Sequence, residues 1–150
     1  MKNIIFICSG NTCRSPMAEA IAKSLCNDKN INIFSRGLFV YENLPINEKS
    51  KQVLQNNDIL LEKHFSNPLT IEELKNATLI LTMEQSHKDF INQAISDNNI
   101  NTNSTIKTLY EYVLNKNLNI NDPYGFEISV YEKCFDEIYS LISKIDFKNL

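Results

Sequence analysis

Residues 3–16 read NIIFICSGNTCRSP and join an apolar segment to the start of a helix. Asn3–Ile7 is almost entirely apolar, which is typical of a parallel strand that is covered on both faces. Ser15 followed by Pro16 predicts a helix start, with Ser15 as the N-cap and Pro16 at the first helical position. Apolar residues recur at helical spacing beyond it, at positions 17, 18, 21, 22 and 25. The stretch therefore predicts a βα unit whose connecting loop spans residues 8–15.

The rest of the chain alternates between short apolar runs and amphipathic segments. The apolar runs predict further strands over residues 31–35, 78–82 and 105–109. The amphipathic segments predict helices over 47–57, 84–97 and 127–145, and a short helix that begins at a capping box of Thr70 and Glu73. Because strands that alternate with helices pair in parallel, we expect an α/β three-layer sandwich, with a four-stranded parallel sheet flanked by helices on both faces. Residues 1–150 are expected to form a single domain.

Composition argues against several classes of protein. The net charge of −3 and the pI near 5.4 are unlike those of nucleic-acid-binding domains, which are usually basic. No run of about 18 apolar residues occurs, so we expect no membrane-spanning segment. The apolar stretch near the N-terminus is too short for the core of a secretory signal. We therefore expect a cytoplasmic protein that binds neither nucleic acid nor membrane. We also expect it to be a monomer.

The cysteines and histidines do not form a metal-binding pattern. In the cytoplasm the four cysteines are expected to be reduced thiols. No CxxC pair is present and the two histidines lie 23 positions apart, at 64 and 87, so we expect no metal and no cofactor. Cys26 and Cys134 fall on apolar helical faces and are expected to be core residues.

Glycine and arginine are rare, at three and two residues respectively, and the loop over residues 8–15 holds one of each. Gly10 is expected to adopt backbone angles that other residues resist, which lets the loop curl around an anion. Arg14 has a planar guanidinium that can bind two oxygens of a phosphoryl group at once. The other arginine, Arg36, is expected to lie on the surface.

The position of this loop suits nucleophilic chemistry on an anion. In parallel α/β sheets, ligands bind at the carboxyl ends of the strands, and Cys8 lies at such an end. Backbone N–H groups in a tight loop before a helix bind anions, and their field favours a thiolate. Cys8 is therefore the candidate nucleophile and Arg14 the candidate phosphate ligand. The G-x4-GK[ST] pattern of nucleotide-binding loops is absent.

A second turn, Asp122-Pro123-Tyr124-Gly125, supplies a candidate general acid. Transfer of a phosphoryl group to a cysteine requires a proton donor for the leaving oxygen. Pro123 keeps Asp122 out of helical geometry, and the turn precedes the last predicted helix. Asp122 is thus predicted to protonate the leaving group.

Together, CSGNTCRSPMAEA at residues 8–20 and DPYG at residues 122–125 resemble the low molecular weight protein tyrosine phosphatases. The resemblance covers the whole chain in length and in the order of its elements. It implies a phosphatase that needs no metal and that hydrolyses a phosphorylated protein through a cysteinyl-phosphate on Cys8. In this mechanism Arg14 binds the phosphoryl group, while Asp122 protonates the leaving oxygen and later activates water.

The resemblance also implies roles for residues around Cys8. The phosphate-binding loop would comprise Ser9, Gly10, Asn11, Thr12, Cys13, Arg14 and Ser15. A supporting hydrogen-bond network would comprise Asn11, Ser15, Ser35 and His64. The walls of the substrate cleft would comprise Thr12, Tyr41 and Tyr124. Cys13 matches a loop cysteine that in relatives can pair with the nucleophile and protect it from over-oxidation.

Phosphotyrosine is the leading substrate class, and phosphoarginine is the alternative. Thr12 stands where many tyrosine phosphatases of the family have a bulky aliphatic residue. Threonine there resembles the protein-arginine phosphatases of the same family, as do the stretches SPMAEA and TLYEYV. A small wall with a hydroxyl could accept a phosphoguanidinium, whereas an aliphatic wall favours a phenyl ring.

Three other activities fit the sequence less well. Arsenate reductases with a similar fold and loop need two further cysteines near the third strand, and residues 81–87 contain none. A phosphocarrier domain must retain its phosphate, which Arg14 and Asp122 would instead help to transfer to water. A catalytically inactive phosphate-binding module would not need an intact nucleophile, arginine and acid.

Overall fold

A single sheet of four parallel strands lies at the centre of the structure, a computed structural model that describes all 150 residues. The strands are β1 (Lys2–Cys8), β2 (Ile31–Gly37), β3 (Leu79–Thr82) and β4 (Thr105–Thr108). The helices are α1 (Arg14–Leu25), α2 (Glu48–Asn56), α3 (Ile71–Asn76), α4 (Gln85–Asp97), α5 (Leu109–Leu114) and α6 (Ile128–Ile142), followed by a 3-10 turn over Phe147–Asn149. The strand order is β2-β1-β3-β4. The predicted α/β fold is confirmed.

The central strand β1 is buried on both faces, as its apolar run predicts. Ile4 and Phe6 belong to the larger core, which also holds side chains from α1, α2 and α6. Ile5 and Ile7 point to the other face, into a smaller core that includes residues of α3 and α4. Alternate side chains of β1 therefore join two cores on opposite sides of the sheet.

The order of the strands creates a crevice next to β1. The chain passes from β1 to β2 on one side, and later returns to place β3 on the other side of β1. The helices that follow β1 and β3 contribute to opposite cores, so the loops after these strands diverge at the carboxyl edge of the sheet. This edge contains Cys8, the last residue of β1.

The start of α1 differs from the prediction. The helix begins at Arg14 with Cys13 as its N-cap and no side-chain cap, so the assignment of Ser15 as N-cap is wrong. The Ser15 hydroxyl instead contacts Cys8 and Asn11, which are tertiary partners that a local capping pattern does not reveal. Pro16 lies at the third helical position, where its missing N–H leaves no helical bond unmade.

Other boundaries differ by a few residues. The short helix α5 was not predicted, although Thr108 and Glu111 form a capping box at its start, directly after β4. The predicted caps at Asn47 and at Thr70 with Glu73 are confirmed. The last helix ends at Ile142, before the predicted 145. No helix is both long enough and apolar enough to cross a membrane.

Candidate active site

Two hydrogen-bond donors point at the sulfur of Cys8, which is almost completely buried. The backbone N–H of Asn11 lies 3.3 Å from Cys8 Sγ, and Ser15 Oγ lies 2.9 Å from it. Ser15 Oγ accepts a hydrogen bond from Asn11 Nδ2 at 2.8 Å, so its own hydrogen is free to donate to the sulfur. This arrangement suits an anionic sulfur.

Asn11, rather than Gly10, makes the sharp bend in the loop. Asn11 has a positive φ of 58°, in the left-handed region that asparagine tolerates better than most residues. Gly10 does not have a positive φ, and a Cβ built on it would meet its nearest neighbour, Thr12 Oγ1, at 3.8 Å. The prediction that Gly10 supplies unusual backbone angles is therefore wrong.

Every polar group of Asn11 has a partner. Its Oδ1 accepts the backbone N–H of Asn67 at 3.0 Å, and its Nδ2 also donates to Ser35 Oγ at 3.0 Å. His64 donates from Nε2 to the Asn11 carbonyl at 2.8 Å. The structure thus brings the four predicted network residues, Asn11, Ser15, Ser35 and His64, around one bend.

The network extends to a buried carboxylate that the sequence analysis did not identify. Ser35 Oγ donates to Glu19 Oε1 at 2.7 Å, and Lys23 Nζ contacts Glu19 Oε2 at 2.8 Å. Glu19 lies four residues before Lys23 on α1, a spacing typical of surface ion pairs. Glu19 reaches the network only through Ser35 on β2, and Ser35 lies near the loop only because β2 pairs with β1. No local sequence pattern shows this contact.

Gly37, at the end of β2, permits close contact with the loop. A Cβ at this position would lie 2.7 Å from the Ser9 carbonyl oxygen and 2.5 Å from Val40 Cγ2. The backbone N–H of Leu38 donates to that same carbonyl at 3.1 Å. A side chain at position 37 would therefore push β2 away from the loop over residues 8–15.

Arg14 is 2% exposed and is oriented by protein acceptors on one side of its guanidinium. Nη1 donates to Glu84 Oε2 at 2.5 Å and to the Ile120 carbonyl at 2.7 Å. Nη2 lies 3.8 Å from Asp122 Oδ2. Glu84 was not identified from sequence, although it follows β3 at the carboxyl edge of the sheet. These contacts fix Nη1 and leave Nη2 directed towards the cleft.

Asp122 lies across the cleft from the loop with its side chain half-exposed. Its Oδ1 accepts the backbone N–H of Tyr124 at 3.1 Å, which leaves Oδ2 on the side of Arg14. Gly125 closes the turn with a φ of 84°, a conformation that favours glycine. A carboxyl group in this position can exchange protons with a group bound between it and Cys8.

The cleft has a volume of about 330 Å³, and most of the predicted site residues line it. Its walls include Cys8, Thr12, Arg14 and Asp122. Tyr41 and Tyr124 lie at its rim, with their rings mostly exposed. Three further predicted loop residues line it, namely Gly10, Asn11 and Cys13. The predicted residues Ser9, Ser15, Ser35 and His64 do not line the cleft. Ser9 and Ser15 belong to the loop but turn their side chains away from the cleft, and Ser35 and His64 contact the loop from other segments.

The second loop cysteine has a different environment from that of Cys8. Burial raises the pKa of the Cys13 thiol, whose sulfur lies 3.8 Å from Tyr131 Oη. Cys13 therefore remains protonated at neutral pH. All four cysteines are free thiols. No group of three or more His, Cys, Asp or Glu side chains has an arrangement that could hold a metal ion.

The chain is similar to known proteins over nearly its whole length. The model of the family described as "Low molecular weight phosphotyrosine protein phosphatase" matches residues 3–148. The chain is 43% identical, over 97% of its length and 98% of the relative, to the low molecular weight protein-tyrosine-phosphatase PtpB of Staphylococcus epidermidis. It is 37% identical to the protein-arginine-phosphatase of Bacillus subtilis, over 95% of this chain and 93% of that protein.

A solved structure shows the same architecture. The crystal structure of a YwlE mutant from Bacillus subtilis superimposes with a TM-score of 0.85 at 34% identity, over 96% of this chain and 95% of that one. The sequence matches and the structural superposition both cover nearly the whole chain. The chain therefore belongs to the low molecular weight phosphotyrosine protein phosphatase family.

Proposed function

We propose that the protein hydrolyses phosphotyrosine in protein substrates through a phosphorylated Cys8. The observation that carries this proposal is that Cys8 and Arg14, at the two ends of one loop, line the same cleft as Asp122, which lies in a turn far along the chain. A nucleophile, a planar cation and a general acid are the three groups that the reaction needs. Membership in the family supports the same chemistry.

In the first step, the Cys8 thiolate attacks the phosphorus atom. An S–P bond forms, the P–O bond to the tyrosine oxygen breaks, and Asp122 gives that oxygen its proton. The Nε and Nη2 groups of Arg14 and the backbone N–H groups of the loop stabilise the negative charge on the transferred oxygens. Glu84 holds Nη1 and so fixes the plane of the guanidinium during the transfer.

In the second step, water hydrolyses the cysteinyl-phosphate. Asp122, now ionised, removes a proton from the water, which attacks phosphorus as the S–P bond breaks. The products are inorganic phosphate and the Cys8 thiolate. The Ser15 hydroxyl and the Asn11 N–H stabilise the departing sulfur, because both already point at it.

Phosphoarginine is a second candidate substrate, and Thr12 is the observation that favours it. Thr12 lines the cleft, and its hydroxyl makes one long contact, 3.9 Å to Cys13 Sγ. Such a hydroxyl can accept a hydrogen bond from the guanidinium of phosphoarginine. The phenyl ring of phosphotyrosine has no N–H group that could donate one. The similarity to the protein-arginine-phosphatase of Bacillus subtilis supports this candidate.

A paired assay on matched phosphotyrosine and phosphoarginine peptides separates the two candidates. We expect the higher kcat/KM on the phosphotyrosine peptide, and a reversed ratio would assign the protein to phosphoarginine. Thr12→Ile is expected to shift the ratio further towards phosphotyrosine. A ratio that does not change would show that Thr12 does not select the substrate. Cys8→Ser is the control, since it should abolish turnover of both peptides.

We further propose that the chain acts as a single-domain monomer in the cytoplasm. A Cys8 nucleophile requires a compartment that keeps thiols reduced, which supports this location. The net charge of −3 supports a protein partner rather than nucleic acid. Light scattering of the purified protein tests the oligomeric state, and fractionation of the source cells tests the location.

A further inference from the structure

His87 is a buried histidine whose tautomer is determined by the backbone. It lies in the first turn of α4, 3% exposed, and its Nδ1 accepts the backbone N–H of Glu84 at 3.1 Å. An imidazole nitrogen that accepts a hydrogen bond carries no proton, so the hydrogen of the neutral ring lies on Nε2. Nε2 is 2.9 Å from Ser9 Oγ and therefore donates to it.

Ser9 is the residue directly after Cys8, and it is held from two sides. Its carbonyl accepts the backbone N–H groups of Leu38 at 3.1 Å and Phe39 at 2.9 Å. Its side-chain hydroxyl accepts the hydrogen bond from His87, which lies on α4, the helix that follows β3. A rotation of Ser9 would reorient the N–H groups that follow Cys8, which are the groups expected to bind the phosphoryl oxygens.

We propose that His87 is a positioning residue for phosphoryl transfer, which fixes Ser9 through its Nε2–H and so keeps the loop in its anion-binding shape. The first turn of α4 then holds both ends of the loop, because Glu84 orients Arg14 while His87 orients Ser9. His87 does not line the cleft, so it acts through Ser9 and not on the substrate. The inference rests on the proposed function of the loop.

Burial is the main reason why the His87 ring is neutral. Burial and the nearby Arg14 lower the pKa of His87 to about 4, although Glu84 and Asp122 act in the opposite direction. A histidine with a lowered pKa is neutral above that value and gains a proton only as the pH falls through it. Protonation would place an N–H at Nδ1 against the N–H of Glu84, and would break that bond. The neutral ring, with its hydrogen on Nε2 facing Ser9, is therefore the form present throughout the neutral range.

Two substitutions at position 87 separate positioning from simple packing. His87→Leu removes the donor, whereas His87→Gln keeps an amide N–H that can reach Ser9. We expect His87→Leu to lower kcat/KM on p-nitrophenyl phosphate about 10- to 100-fold, and to weaken binding of inorganic phosphate in parallel, since the loop loses its shape. His87→Gln should recover most of both. Gln93→Leu, on the exposed face of the same helix, is the control and should match the wild type.

A double-variant cycle tests whether His87 acts through Ser9. Ser9→Ala should cause a loss similar to that of His87→Leu, and the combined variant should lose little more. Additive losses would overturn the proposal. A folded His87→Leu protein with wild-type activity, or a His87→Gln protein no better than His87→Leu, would overturn it as well.

The tautomer can be measured without any substitution. Nitrogen-15 NMR of the imidazole should show a protonated Nε2, an unprotonated Nδ1 and no titration between pH 5 and 8. A proton on Nδ1, or titration near the ordinary histidine value, would refute the inference even if the variants fail to fold. If the wild-type protein does not hydrolyse p-nitrophenyl phosphate, the proposed phosphatase function fails. The NMR experiment does not depend on activity, so it still tests the state of the His87 ring in that case.

Discussion

The two arginines of the chain each bind a carboxylate, yet their surroundings differ. Arg14 is buried and uses Nη1 for Glu84, while Nη2 faces the cleft. Arg36 is about a quarter exposed and places both Nε and Nη2 on Glu73 Oε2, at 2.9 and 2.8 Å. Its Nη1 donates to the carbonyl of Ser35. Every nitrogen of the Arg36 guanidinium thus contacts a protein acceptor, whereas Nε and Nη2 of Arg14 make no hydrogen bond within the protein and remain available to a ligand.

Arg36 is therefore a structural residue that links β2 to α3. Its guanidinium also lies over the ring of Phe34, 4.7 Å from the centroid. Arg36 is thus partly exposed, and it also makes specific contacts that the sequence does not predict. Both residues are arginines that bind a carboxylate, so neither property distinguishes a functional arginine from a structural one. The distinguishing property is the number of guanidinium N–H donors that have no protein acceptor.

The strongest test of this contrast removes one carboxylate near each arginine, Asp122 beside the free Nη2 of Arg14 and Glu73 beside Arg36. Asp122→Asn should lower kcat by about 10²–10⁴, because the leaving oxygen loses its acid. Glu73→Gln should leave kcat within about twofold of the wild type, since Glu73 lies in a capping box and does not line the cleft. Steady-state kinetics on an aryl phosphate measures both. A near-normal rate for Asp122→Asn would assign the acid role to another group.

A second test replaces each guanidinium by an ammonium. Arg14→Lys should lower kcat by about 10²–10³, since one ammonium cannot bind two phosphoryl oxygens in a plane. Arg36→Lys should have little effect on kcat. If both variants lost the same factor in kcat on the same substrate, the proposed difference between Arg14, with donors available to a ligand, and Arg36, with donors bound to the protein, would be wrong.

A third test uses the glycines near these arginines. Gly37→Ala should destabilise the protein by about 1–3 kcal/mol and weaken phosphate binding, because the new Cβ would lie too close to the Ser9 carbonyl and Val40. Gly10→Ala should be tolerated, since its Cβ has room. Urea denaturation and phosphate titration measure the two effects. The prediction fails if Gly10→Ala is the more damaging change.

The smallest expected effect concerns the ion pair of Arg36 itself. A double-mutant cycle with Arg36→Ala and Glu73→Ala should give a coupling of about 0.2–1 kcal/mol, the range of partly exposed pairs. The free energy of unfolding in low and high salt measures it, and salt should reduce it. A coupling of several kcal/mol would mean that this pair, like that of Arg14, belongs to a buried network.

Local sequence patterns predict the sheet, most of the helices and the cleft residues near Cys8. The apolar run of β1 is enough to place Cys8 at the carboxyl edge, and chain order alone gives parallel pairing. Glu84 and His87 were missed as partners of the loop because they lie 70 and 78 positions from Arg14 and Ser9, and only the placement of β3 beside β1 joins them. The cap at Ser15 was misassigned because its hydroxyl has a tertiary partner.

The cleft becomes steadily more exposed from its floor to its rim. Cys8 and Arg14 are buried, Asp122 is half-exposed, and Tyr124 and Tyr41 are 68% and 92% exposed. A substitution at the rim removes little buried surface, so it changes the shape offered to a substrate without much effect on folding. Selectivity in this protein can therefore vary over evolutionary time while the reaction mechanism stays constant.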